Sequence, residues 1–438
     1  PYVFRLYVLR LGLTTNVSIM KKLMTLTALG TLLVYSDALA SGFNLKEQSA
    51  AAMGNAFAGA TAGAEDISYS FFNPAGLTRH GGTKVSFGGT WIAPRSKAKR
   101  AIAHIPGEPG EEISGYTGDI VHAAVAPNFY ASHQINSKWT AGVSLNVPYG
   151  MVTKYNDDWA GRFHGTLSKV TTVTLTPMLA YRPYCKLSLG AGLQLQYIKA
   201  RLRNSTLVKN PATGGIIPGV EDRASLEGDT LGALYEYSDQ TRFGIGYRSQ
   251  VKHKLKGDIK FEGLMLPANQ DISARITTPA NLTIGAYHDI NDKWSVMAEF
   301  GRTYWSSFDT LDIYGENNGK MSTTEERWKD TTFYAIGASY QYNDQWKFRV
   351  GFAVDQSAVG QEYRTPRIPD SDRLWYSSGI EYKYNDDWTF NLGYTYIRAD
   401  KGKVKLLGYH DGDNARGSLQ ADYENDIHIL GFGASYNF

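Results

Sequence analysis

Two sets of residues in this chain have the types and spacing to handle a small molecule. One is apolar and near the N-terminus: Phe43, Leu45, Met53, Phe57, Phe71 and Phe72, set among Ala, Gly and Ser. The other is cationic: Arg162 and His164 in a polar segment, and Lys347 and Arg349 in an alternating one. Large apolar side chains around a cavity bind apolar molecules, at about 0.8 kcal/mol per buried methylene. A cation at one end of such a cavity selects a carboxylate. Each set also has a plainer use. Phenylalanines pack any core, and interior cations pair with acids such as Glu299.

Bond-making chemistry finds no support. Gly54-x4-Gly59 runs into Ala60-Thr61, without the lysine of a phosphate loop. The nine histidines are scattered singly, with no metal-ligand spacing and no His-Glu-x-x-His. Cys185 is the one cysteine, which excludes an internal disulfide and argues against a thiolate metal site. No nucleophile motif is present. The expectation is no catalytic residue, no metal and no cofactor.

The elements that must position the two sets differ. Ser41–Thr78 is rich in small residues and closes on Asn73-Pro74-Ala75-Gly76. Ser49–Ala60 is expected to form a short helix, weakened by Gly54 and Gly59. Pro74 fixes its own backbone and biases Asn73 away from helix, making a rigid corner. After Gly82 the pattern has period two. Trp388, Phe390, Leu392, Tyr394 and Tyr396 face one way, and Thr389, Asn391, Gly393 and Thr395 the other. Trp346–Val354 and Leu430–Phe438 repeat it, which places Lys347 and Arg349 on the inner face.

Short turns recur just before a tryptophan: Asn136-Ser137-Lys138, Asn291-Asp292-Lys293, Asn343-Asp344-Gln345 and Asn385-Asp386-Asp387. Tyr184-Cys185-Lys186 and Ser238-Asp239-Gln240 complete six. Seven long polar segments alternate with them: 95–118, 148–167, 204–228, 262–272, 314–328, 356–372 and 400–424. Six short turns and seven long loops join 14 strands, each long enough to cross a bilayer at about 9–11 residues. The reading is an all-β, 14-stranded antiparallel transmembrane β-barrel, with a small N-terminal hatch of short helices in its lumen. Tyr436 and the terminal Phe438 fit a strand recognised by the outer-membrane assembly machinery.

Upstream, Met20-Lys21-Lys22, a short apolar run and Ala38-Leu39-Ala40 read as a signal peptide over 20–40, with 1–19 as an upstream extension. The hatch is then 41–82 and the barrel 83–438. The formal charge of +3 lies within the first 40 residues, and the remainder balances 41 basic against 41 acidic side chains. That balance gives no electrostatic case for a nucleic-acid partner.

The stretch from Gly42 through Asn73-Pro74-Ala75-Gly76-Leu77-Thr78 resembles the hatch of long-chain fatty acid transport porins of the FadL type. The likeness continues through Trp159-Ala160-Gly161-Arg162, Thr171–Arg182, Tyr247-Arg248-Ser249, Tyr304-Trp305-Ser306-Ser307-Phe308 and Arg364–Arg373. It therefore spans the whole mature chain. It implies a 14-stranded barrel, a lumen hatch, and uptake of long-chain fatty acids or of aromatic hydrocarbons such as toluene. It also implies a sideways exit at a kink in the third strand, beside Asn73, Pro74 and Ala75. With Trp139–Val147 as that strand, Gly142 is the expected kink. The resemblance further implies a basic residue in the fifth outer loop near the ligand head group. Here the matching stretch is Ser322-Thr323-Thr324-Glu325-Glu326, a departure that raises the hydrocarbon reading.

The functional expectation is passive uptake of hydrophobic molecules, long-chain fatty acids first and aromatic hydrocarbons second. A barrel lipid hydrolase or a structural porin is the remoter alternative. The expected setting is the outer membrane of a Gram-negative cell, multi-pass and monomeric, in contact with membrane lipid and lipopolysaccharide.

Overall fold

The computed structural model describes residues 42–104, 112–115, 117–206, 215–218, 229–260, 269–315, 319–408 and 416–438. The expected signal peptide and upstream extension lie outside the described residues. Fourteen antiparallel strands form a closed barrel. They are β1 (Thr83–His104), β2 (Ala124–Gln134), β3 (Trp139–Asn146), β4 (Leu167–Tyr184), β5 (Leu187–Leu193), β6 (Asp229–Glu236), β7 (Thr241–Arg248), β8 (Asn281–Asp289), β9 (Trp294–Thr303), β10 (Thr331–Gln341), β11 (Trp346–Asp355), β12 (Arg373–Lys383), β13 (Trp388–Ala399) and β14 (Ser418–Asn437). β1 pairs with β2 on one side and with β14 on the other, from Lys84↔Asn437 to His104↔Ser418, which closes the sheet.

The period-two pattern becomes the inside and outside of the wall. On β13, Leu392 is 44% and Tyr394 41% exposed, whereas Asn391 is 3% and Thr395 0% exposed. Apolar side chains face lipid and polar ones face the lumen. The Asn-x-x-Trp turns share one geometry. Asn343 Oδ1 accepts from Gln345 N at 3.0 Å and Trp346 N at 2.8 Å, and Asn136, Asn291 and Asn385 do the same in their turns.

On the opposite rim the strands outrun the polar boundaries read from sequence. β1 continues to His104, and β14 begins at Ser418. Val251–Lys260, Asn269–Thr278, Thr310–Gly315 and Lys320–Glu325 form a four-stranded sheet apart from the barrel. The sequence reading has no such sheet, because its strands alternate as barrel strands do.

The hatch fills the lumen. Helix α1 (Ala50–Gly54) starts at Ser49, whose Oγ accepts from Ala52 N at 3.2 Å. It ends well before the expected Ala60. Positive φ at Ala56, Phe57 and Gly59 turns the chain along the wall. Wall glycines make room for it: a methyl group at Gly351, Gly244 or Gly190 would overlap the backbone of Asn55, Thr61 or Ala75. Two 3-10 helices follow, Ile67–Phe71 and Pro74–Arg79, started by Asp66 and Asn73.

The wall is interrupted beside the hatch. Pairing between β2 and β3 runs from Gln134↔Thr140 only to Phe129↔Leu145, and β3 leaves its ladder at Val147 and Pro148 before resuming as Gly150–Lys154. Pro148 has no N–H to donate. The hatch takes up the freed groups: Leu45 N donates to Pro148 O at 2.8 Å, Gln48 Nε2 to Val147 O at 2.8 Å, and Gly150 N to Phe43 O at 2.9 Å. This corrects the expected kink at Gly142, which is paired on both sides, with Ser132 and Met178.

Candidate functional site

Above the interruption lies a cavity of about 590 Å³ of empty space, counted with its open mouth. Its walls are the tip of the hatch (Phe43), the resumed part of β3 (Met151), the outer half of β4 (Ser168, Val170) and the separate sheet (Leu255, Ala274, Ile276). All but a few lining groups are hydrocarbon. Trp305, Phe308 and Tyr149 pack edge-on against Phe43 and Trp328 meets it tilted, with ring centroids 4.8 to 6.0 Å away, which fixes Phe43 there. Gly42 lets the chain enter between the two tryptophans. Its φ is 59°, and its N–H donates to Asp370 Oδ2 at 3.0 Å.

Two charged residues close this cavity, Arg367 and Glu326. Arg367 is buried, and its hydrogen-bond partners are neutral. Its Nη1 donates to Ser168 Oγ at 3.0 Å and Leu167 O at 3.3 Å, and its Nη2 to Asn204 Oδ1 at 3.3 Å. Among the described residues it has no ion pair with a carboxylate. Burial, helped by Arg416, lowers its pKa to about 10, so it stays charged at neutral pH. Glu326 accepts from Trp328 Nε1 at 3.0 Å, and burial pushes its carboxyl up to about 7. A buried guanidinium at the end of an apolar cavity, with only neutral partners, can receive a carboxylate through charge-assisted hydrogen bonds.

Residues 31–438 match the family described as outer membrane protein transport protein (OMPP1/FadL/TodX). The chain belongs to this family. It is 28% identical to a long-chain fatty acid transport protein of Escherichia coli O6:H1, over 94% of this chain and 97% of that one. It is 27% identical to outer membrane protein P1 of Haemophilus influenzae, over 94% and 98%. In fold it is similar to a Pseudomonas aeruginosa FadL homologue, with a TM-score of 0.82 at 24% identity, covering 91% of this chain and 100% of that one. A Ralstonia pickettii toluene transporter shares the fold with a TM-score of 0.61 at 18% identity, covering 85% and 94%. Like the rest of its family, the protein is an outer-membrane transporter of hydrophobic molecules and not an enzyme.

The residues expected from sequence separate within this FadL-type barrel. Phe43 lines the outer cavity. Phe71 and Phe72 line a second cavity of about 460 Å³ beside the hatch, with Asn44, Lys46, Pro148, Tyr149 and Arg248. Leu45, Met53 and Phe57 line neither. Leu45 is tied to Pro148, Met53 packs over Gly393 and Gly431, and Phe57 meets the Phe72 ring tilted and the Trp375 ring edge-to-face. They join hatch to wall.

The expected cations are corrected more strongly. Arg349 donates to Glu65 of the hatch, to Glu381 and to Asn391 Oδ1, and Lys347 lies 3.7 Å from the same Glu65. Both are drawn to hatch and wall acids, and neither lines the outer or the hatch-side cavity. Their acid is Glu65, not Glu299, which accepts from Thr61 instead. Arg162 lies over the Phe163 ring and off the outer cavity. His164 is buried with Nε2 on Gly417 O at 3.0 Å, and burial lowers its pKa to about 3, so it is neutral. It borders a small polar pocket that Arg367 and Arg416 share. Asn73, Pro74 and Ala75 stand against β5 and β6, with Asn73 Nδ2 donating to Ala233 O at 2.9 Å and Thr61 O at 2.8 Å. They fasten the hatch away from the interruption in β3. Arg367 was missed as a site residue. Its signal was the Arg-Thr-Pro-Arg-Ile-Pro run, whose prolines hold an arginine in a fixed loop.

Proposed function

We propose that this transporter carries long-chain fatty acids, passively, with the carboxylate on Arg367 and the tail along the outer apolar cavity. The observation that carries this reading is the buried Arg367 guanidinium, whose partners are all neutral in an otherwise hydrocarbon-lined space. A hydrocarbon would leave the buried guanidinium with neutral hydrogen-bond partners and, as acid in the same cavity, Glu326, whose carboxyl is raised to about 7. From the outer cavity the cargo passes the Phe43 and Tyr149 rings into the hatch-side cavity. It leaves sideways where β3 parts from β2 at Val147 and Pro148.

Aromatic hydrocarbons are the second reading. Glu326 favours it, since an acid stands where a basic residue was expected. Mass spectrometry of molecules extracted from barrels purified out of fatty-acid-fed cells separates the two. Fatty acids at one or more per chain support the proposal. Barrels that release none, yet bind toluene from solution, overturn it in favour of hydrocarbon transport.

A further inference from the structure

The hatch-side cavity holds more charge than a passage for a hydrocarbon tail requires. Lys46 enters it from the hatch, and Arg248 enters from the end of β7. Phe71, Phe72, Pro148 and Tyr149 supply its apolar surface. Lys46 Nζ lies 4.4 Å from the centre of the Phe333 ring. The Arg248 guanidinium donates to Phe71 O at 3.2 Å and Gln194 Oε1 at 2.6 Å, and lies 4.3 Å over the Phe71 ring. Among the described residues neither cation forms an ion pair with a carboxylate. The cations elsewhere around the hatch are neutralised: Arg349 and Lys347 by Glu65, and Arg242 by Asp289.

We infer that this cavity is a second carboxylate-binding station, with Lys46 and Arg248 as its cations. The inference rests on the fatty-acid reading above and names where the head group pauses after leaving Arg367. Its apolar lining accepts the first carbons of the tail, and Pro148 places the station against the interruption in the wall. Because Arg248 also holds Phe71 O, a carboxylate arriving there competes with the hatch for the same donor. Loading the station therefore loosens the segment Ile67–Phe71 next to the exit.

The test is a titration of the purified full-length barrel with radiolabelled palmitate, using wild type, Arg367→Gln, Lys46→Gln, Lys46→Arg and Arg248→Gln. Wild type should bind two palmitates per chain, one of them lost in Arg367→Gln. Lys46→Gln should keep the Arg367-dependent palmitate and weaken the other about tenfold, the size of one charge-assisted hydrogen bond. Lys46→Arg should restore it. Lys46 donates no hydrogen bond that holds the fold, so these variants remain informative if Arg248→Gln misfolds. A single palmitate per chain, dependent on Arg367 and indifferent to Lys46, would overturn the second station and leave the fatty-acid reading standing. A wild-type barrel that binds toluene and no palmitate would overturn both.

Discussion

Arg349 and Arg367 are both buried guanidinium groups inside one barrel, and their surroundings differ in kind. Arg349, near the short turns, meets Glu65, Glu381 and Asn391, with Lys347 close by. Arg367, near the long loops, meets a hydroxyl, an amide oxygen and backbone carbonyls. The first set of charges is closed and joins hatch to wall. The second has neutral hydrogen-bond partners, with Glu326 as the acid of the same cavity. Side-chain type does not separate the two; what separates them is whether carboxylates already take the guanidinium's hydrogen bonds.

The contrast breaks most visibly at the fastener. Arg349→Ala leaves Glu65 and Glu381 facing each other without their shared cation, a change of about 3–5 kcal/mol for a buried pair. The hatch should then undock, seen as protease cleavage within residues 42–80 and as raised ion conductance through the barrel. A sealed variant would remove the fastening role. Acid acts on the same contact with a definite sign. Burial pushes the Glu65 carboxyl up, but Lys347 and Arg349 outweigh it and hold it well below the usual range. Its stabilisation is therefore full above the ordinary carboxylate pKa of about 4 and is lost only as pH falls well below it. Conductance measured against pH should stay low at neutral pH and rise in strong acid.

The binding group comes next in size. Arg367→Gln should weaken palmitate about 10- to 100-fold while leaving the barrel's melting temperature and toluene binding unchanged. Equal losses for both ligands would mean a collapsed cavity and not a lost counter-charge. A smaller effect follows from Glu326, whose carboxyl is raised to about 7 by burial, against the Trp328 hydrogen bond, Arg367 and Arg416. Below that pH it is neutral and leaves Arg367 to the ligand; above it the new negative charge competes. Palmitate affinity should fall a few-fold as pH rises through 7, and Glu326→Gln should flatten the profile. His164, with its pKa near 3, adds nothing in that window. The smallest effect is expected for Gly142→Ala. The added methyl meets the flexible end of the Leu77 side chain at 2.7 Å and the Ala131 carbonyl oxygen at 3.3 Å, which small shifts relieve, so uptake should stay close to wild type. A large loss there would return the bend to Gly142.

Much of the fold was legible because its signals are local. Period two, the Asn-x-x-Trp turns and the asymmetry of loop lengths each follow from residues close in sequence, and together they gave 14 strands. The separate outer sheet was not legible, since Val251–Lys260 alternates like a membrane strand and only its partners distinguish it. The site was legible in part. Of the six apolar residues expected to meet cargo, Phe43, Phe71 and Phe72 line cavities, and Leu45, Met53 and Phe57 do not. Lys347 and Arg349 were expected to face inward and do, but their use depends on Glu65, more than 280 residues away in sequence. The break in the third strand was displaced from its expected place for a similar reason. Gly142 satisfies a local rule for bending, whereas the break at Val147 and Pro148 exists because hatch residues 43–48 accept and donate in place of the neighbouring strand.

The role of Arg367 can be tested directly by locating a bound head group. Crystals soaked with palmitate brominated beside its carboxyl group would report it through anomalous scattering from bromine. A bromine peak is expected next to the Arg367 guanidinium, with the tail running toward Phe43. A peak at the Phe43 end, or a cavity that takes up toluene but never the bromopalmitate, would contradict it.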